Sequence, residues 1–247
     1  MTPFKKLKRL LQFRLRLRFD FNLKLGEHGA VSPEVDTSIN KEDASRDFVF
    51  SHEGSGLKFL DIGARDGELY YLLGVTKNLN FDESFYNINK KLFTAKYEYW
   101  GLDLEPTDTS KVISSDVCSK DFRNRAAEFK ESFDVIYGNN VFEHLNDPFT
   151  AAHNISYLLK QGGIVITIVP FAQRYHRSPD DYFRFTHRGV EILFTSIGNF
   201  RILKSGYDIH GRRNNWQGSR LRGDQVPKDS FGAWRETWFT FCAMQKL

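Results

Sequence analysis

The reading turns on FLDIGARDGE, Phe59 to Glu68: an apolar run, an aspartate, then Gly63 and Gly67 four residues apart. A glycine turn behind a buried strand is where α/β chains often receive a ligand, and the residues around it select the ligand. A Walker loop places a lysine and a hydroxyl residue after its last glycine. Here Glu68, Leu69 and Tyr70 follow Gly67. A dinucleotide fingerprint needs G-x-G-x-x-G and rests a pyrophosphate on a helix N-terminus. This loop has Gly63-x-x-x-Gly67, ringed by the carboxylates Asp61, Asp66 and Glu68. Three carboxylates repel a phosphate and suit a ligand with a cationic end. An ordinary strand-turn-helix shares the outline, so the remaining chain decides.

Outward from this turn, strands and helices alternate. Strands are expected at KFLDI, YEYWGLDL, KVISS, FDVIYGNN, GIVITIVP, FRILKSGYDI and TWFTFCAMQKL. Helices are expected from GELYYLLG, SKDFRNRAAEFKE, FTAAHNISYLLKQ and the segment capped by Thr186, where Val190, Leu193, Phe194 and Ile197 keep helical spacing. Asp147-Pro148 reads as an N-cap with proline at N1, and Gly162-Gly163 as the left-handed end of the same helix. Such alternation implies a doubly wound, mostly parallel α/β sheet whose ligand sits beyond the strands' carboxyl ends. Asp61 to Gly67, Asp103, Asp116 and Gly138 to His144 all fall at such ends. Residues 75–96 read as an insertion, and polar residues 26–56 as a linker.

The 247 residues suffice for one large domain, expected at 57–247. No apolar run approaches the roughly 20 residues of a membrane span. The leading residues lack the apolar stretch of a secretory signal, so a cytoplasmic location is expected. Cys118 and Cys242 are too sparse for a disulfide framework or a metal knuckle. Charge is uneven: residues 1–25 carry +7 against +4 for the whole chain, leaving −3 for the rest. A mildly acidic body argues against nucleic acid as a partner.

In order, LDIGARDGE, YWGLDLEP, SSDV, FDVIYGNNVFEHLNDP, LLKQGGIVITIVPF and HRSPDDYFRFTHRGVEILF resemble the motifs of class I S-adenosylmethionine-dependent methyltransferases, over residues 58–247. The resemblance implies that family's Rossmann-like, seven-stranded sheet with a late antiparallel strand, and S-adenosylmethionine as cofactor. That cofactor has a sulfonium and an ammonium but no phosphate, in keeping with the acidic turn. By the same resemblance Gly63 and Gly67 let the backbone approach the cofactor's amino-acid end, and Asp61 anchors its ammonium. Asp103 accepts from the ribose hydroxyls. Asp116 accepts from the adenine amino group with Val117 against the ring, and Gly138 and Asn139 line the methyl end. Arg65 stands where the family commonly has a middle glycine.

For the transfer itself the candidates are His144, His176 and Asp181, with Asp180, Tyr182 and Arg184 beside them. Asn140-x-x-Glu143-His144 is similar to the E-x-x-E-H divalent-metal cluster of ubiquinone-pathway and small-RNA 2′-O-methyltransferases, with Asn140 replacing the first glutamate and Asp181 offering a further oxygen. The plainer alternative has Glu143 and His144 shaping the cofactor pocket, and no metal ligand is assigned. Arg174 to Arg184 and HGRRNNWQGSRLRGD, with its arginines and Trp216, suit an anionic sugar, glycan or glycolipid acceptor. A lipid, quinone-like or nucleic-acid hydroxyl, or a catalytically silent scaffold, are the competing readings. In the arm, residues 13–25 alternate apolar and mostly cationic side chains, a period-two pattern expected to suit the inner face of an anionic membrane or a second subunit.

Overall fold

The computed structural model describes residues 35–64, 69–105, 111–173, 175, 176, 180–211 and 237–247. Seven strands form one sheet: β1 (Leu57–Ile62), β2 (Tyr97–Asp103), β3 (Val112–Ser114), β4 (Phe133–Asn139), β5 (Leu159–Ala172), β6 (Phe200–Gly211) and β7 (Thr237–Lys246). Their order is β3-β2-β1-β4-β5-β7-β6. The pairs from β3 to β5 are parallel, whereas β7 runs antiparallel to both β5 and β6. The expected late antiparallel strand is therefore β7. The chain winds outward from β1 to β3, then crosses to β4 on the other side of β1. In sheets of this kind a ligand is received at that reversal, beyond the carboxyl ends of β1 and β4.

The helices are α1 (Lys41–Ser51), α2 (Tyr70–Gly74), α3 (Glu83–Lys96), α4 (Phe122–Arg125), α5 (Pro148–Leu158) and α6 (His187–Thr195). Both sheet faces are covered, which is why the central strands read as continuous apolar runs. Leu60, Ile62, Ile136, Val165 and Val169 face one core with Phe122, Ile155, Leu158, Leu193 and Phe194. Phe59, Val135, Tyr137, Ile166 and Ile168 face the other with Val49, Leu72, Tyr86 and Phe93.

Three sequence expectations change. The linker reading of 26–56 fails over its second half, because α1 buries Ala44 and Val49, and Ile39 just ahead of it, in the second core. Asn40 caps α1 by accepting from the Asp43 amide at 2.9 Å. Residues 75–96 are mostly the regular helix α3, capped by Asp82 and buried through Tyr86, Asn89 and Phe93. Helix α5 stops at Leu158 rather than at the glycine pair. Leu159 is already drawn into pairing with Phe133 of β4, so Gly162, at φ +78°, bends the early part of β5 instead of closing the helix. The arm 1–25, residues 26–34, Gly67 and the loop arginines Arg212 to Arg222 lie outside the described residues.

Candidate active site

Sheet register brings the sequence candidates to one edge. Ile62 pairs with Leu102 on one side and Gly138 on the other, so Gly63, Asp103 and Asn139 end adjacent strands. Gly63 has φ +76°, and its amide donates to Leu102 O at 2.8 Å. A Cβ there would lie 2.8 Å from Val141 Cγ2. Both dihedral and space therefore require glycine at this turn.

Asp61 is buried, and Tyr99 donates its phenolic hydrogen to Asp61 Oδ2 at 3.2 Å. Tyr99 pairs with Phe59 and Gly101 with Asp61, so the tyrosine and the carboxylate share a sheet face. That role for Tyr99 was not seen in the sequence, because it depends on register. Asn139 Oδ1 is buried with no hydrogen-bond partner among the described residues. A buried acceptor left unpaired at a strand end is what a ligand donor would satisfy.

Asp103 Oδ1 takes the Glu105 amide at 3.0 Å. The Ser115 amide donates to Asp103 O at 3.1 Å, tying the ends of β2 and β3 together. Asp116 Oδ1 accepts from the Cys118 amide at 2.8 Å, which shapes the turn holding the buried Val117. Asn154, buried in α5, donates to Val117 O at 2.8 Å and Ser119 O at 3.0 Å. Its position on an apolar helix face was the available sequence signal for this brace.

A second group lies past β4. The 3₁₀ turn Phe142–His144 follows Val141, the residue that fills the space beside Gly63. Residues after β5 dock onto this turn: the Tyr182 amide donates to Glu143 O at 2.7 Å, and His144 Nδ1 lies 2.5 Å from Asp180 O. The imidazoles of His144 and His176 meet edge to face at 5.0 Å. Glu143, His144 and His176 each place a potential ligand atom within 4.8 Å of the others.

Asp181 braces this group rather than completing it. Arg184 grips both its oxygens, at 2.5 and 2.7 Å, and the His176 amide donates to Oδ2 at 2.7 Å. The Arg184 hydrogen bonds hold the Asp181 carboxyl at about 2. Burial instead pushes Glu143 up to about 8, with Asp181 adding to the rise and Arg184 opposing it. Asn140 is exposed at φ +56°, a left-handed geometry that asparagine tolerates.

Small or glycine positions beside a buried carboxylate, an unpaired buried amide oxygen, and carboxylates on successive strand ends fit a nucleoside-bearing ligand with a cationic amino-acid end. Among the described residues no helix is long and apolar enough to cross a membrane.

A family model described as a methyltransferase domain matches residues 30–227. A search of the curated proteins found no match. Among solved structures, the YcgJ protein of Bacillus subtilis is 12% identical, with a TM-score of 0.52 over 83% of this chain and 98% of that one. A Bacillus halodurans C-125 protein assigned as a methyltransferase is 9% identical, with 0.53 over 82% and 97%. A SAM-dependent methyltransferase from Archaeoglobus fulgidus is 12% identical, with 0.50 over 83% and 92%. At such identities these likenesses concern the fold alone.

Proposed function

Because the chain belongs to the methyltransferase-domain family and is an S-adenosylmethionine-dependent methyltransferase, we propose that it O-methylates a hydroxyl of a sugar-like acceptor. The cofactor, when bound, supplies a methyl group made electrophilic by its sulfonium. Asp61, Gly63, Gly138 and Asn139 hold its amino-acid and methyl end, and Gly67 is assigned there too. Asp103 accepts from the ribose hydroxyls, and Asp116 with Val117 receives the adenine.

The observation that carries O-methylation is the convergence of Glu143, His144 and His176 just past β4, beside the glycine turn. An alcohol is a poor nucleophile until its proton is taken or shared, and a base at hydrogen-bonding distance contributes typically 10²–10⁴-fold. Glu143, His144 and His176 together form the group that activates the acceptor hydroxyl, while Asp181 and Arg184 brace it. Support for a sugar comes from the exposed rings of Tyr175 and Tyr182 beside this group. Aromatic faces stack on sugar rings, and the arginines of 174–184 and 212–222 suit acidic substituents. Residues 1–25 form a separate basic arm that contacts an anionic membrane surface or a second subunit.

The test is methyl transfer from labelled S-adenosylmethionine to glycans and cell-envelope fractions. Base-stable label that stays with a monosaccharide after acid hydrolysis of the glycan supports the acceptor class. Label confined to lipid, quinone or nucleic acid replaces it. Calorimetry showing NAD or ATP bound more tightly than S-adenosylhomocysteine would sink the cofactor assignment.

A further inference from the structure

Glu143 is fully buried, yet neither carboxylate oxygen has a hydrogen-bond partner among the described residues. Leaving a buried carboxylate uncompensated costs several kcal/mol, so it acquires a proton or a cation. The neighbouring guanidinium of Arg184 is committed to both oxygens of Asp181.

Two histidines stand around Glu143, and one of them is oriented as a metal ligand is. His144 Nδ1 faces the carbonyl of Asp180 at 2.5 Å, so Nδ1 carries the proton. Its Nε2 then presents a lone pair, 3.7 Å from Glu143 Oε1. His176 Nδ1 lies 3.4 Å from Asp181 Oδ2, which also receives the His176 amide at 2.7 Å. His144 thus holds its second ring nitrogen against a carbonyl as metal-binding histidines do, fixing its tautomer, whereas His176 Nδ1 is buried without a hydrogen-bond partner among the described residues.

We infer that Glu143, His144 and His176 bind one divalent first-row transition cation. Two imidazoles and a carboxylate suit manganese, zinc or cobalt, whereas magnesium and calcium prefer oxygen throughout. Ligand atoms at about 2.0–2.2 Å from an ion stand roughly 3.5 Å apart. The present ligand atoms lie within 4.8 Å of one another, somewhat wider than a bound ion would hold them. Three protein ligands leave coordination positions open. A hydroxyl entering one loses its proton more readily, and that role, though not the ion's binding, rests on the acceptor reading above. Asn140 and Asp181, the ligands suggested by sequence similarity, are replaced by His176, which no local motif announces.

The test titrates cobalt into metal-stripped full-length protein, read by visible absorbance, with zinc and manganese followed by calorimetry. One equivalent per chain is expected. Glu143→Gln and His176→Ala should each weaken binding at least about tenfold, a loss typical even for residues behind a ligand. S-adenosylhomocysteine affinity should stay within about twofold in both variants, which shows that they are folded. Metal should raise the thermal midpoint of the native chain and not of Glu143→Gln. No cobalt band, or a band indifferent to both substitutions, overturns the site while leaving the methyltransferase reading intact. Cobalt uptake without any binding of S-adenosylhomocysteine would do the reverse.

Discussion

A single added carbon at Gly63 would meet Val141 Cγ2 at 2.8 Å, on a backbone already at φ +76°. A left-handed L-residue costs about 1–2 kcal/mol before any clash is counted. Gly63→Ala is therefore expected to lower unfolding stability by at least that much, measured in urea. Adding Val141→Ala should recover the steric part and leave the dihedral part. Strict additivity in the double mutant would show that the turn simply moves aside. Asp103 shows a different kind of dependence. One oxygen accepts from the Glu105 amide, and the proposed ribose role falls to the second. Asp103→Ala should weaken S-adenosylmethionine binding by about 1–3 kcal/mol in calorimetry. Unchanged affinity would remove Asp103 from the ribose role.

At the scale of elements, α5 carries Asn154 to the turn holding Val117 and starts at a cap made by Asp147. Asp147 accepts from the Thr150 amide at 3.0 Å and its hydroxyl at 2.7 Å. Those hydrogen bonds lower the Asp147 carboxyl below the ordinary range. A lowered folded-state value means stability present above the unfolded value, about 3.9, and lost as pH falls through the folded one. Asp147→Ala should cost about 1 kcal/mol at neutral pH. The difference from the native chain should vanish in acid, once the native carboxyl is itself protonated. A penalty independent of pH would assign the loss to packing instead.

For the whole molecule, the decisive boundary lies before α1. Ile39 and Val49 are buried, Arg46 donates to Leu72 O at 2.8 Å, and Tyr97 donates to Val49 O at 2.6 Å. Exposing each of those two aliphatic side chains costs about 1.5–3 kcal/mol, against a usual total of roughly 5–15. A chain beginning at Gly26 should fold and bind S-adenosylhomocysteine, whereas one beginning at Leu57 should melt far lower or aggregate. Equal thermal midpoints would return α1 to the status of a linker. Flotation with anionic vesicles at low and high salt tests the arm, since the 1–25 charge of +7 should give salt-sensitive binding that the Gly26 chain lacks.

What the sequence determined by itself was whatever is written in short-range order. Strand-helix alternation carried the α/β sheet, six motifs in series carried the family, and an acidic turn without lysine excluded a phosphate cradle. Helix α1 does not show in the sequence because its buried apolar residues are few and several of its buried residues are charged, and its stability comes from contacts with distant strands. Helix α5 was drawn too long because a left-handed glycine marks a bend without saying whether helix or strand precedes it. Only the tertiary structure paired Tyr99 with Asp61, left the Asn139 Oδ1 and Glu143 carboxylate oxygens without hydrogen bonds among the described residues, and carried His176 across to His144. Register, burial and the docking of residues 180–183 onto the β4 turn are long-range quantities. They depend on which surfaces meet, and local residue order does not encode that.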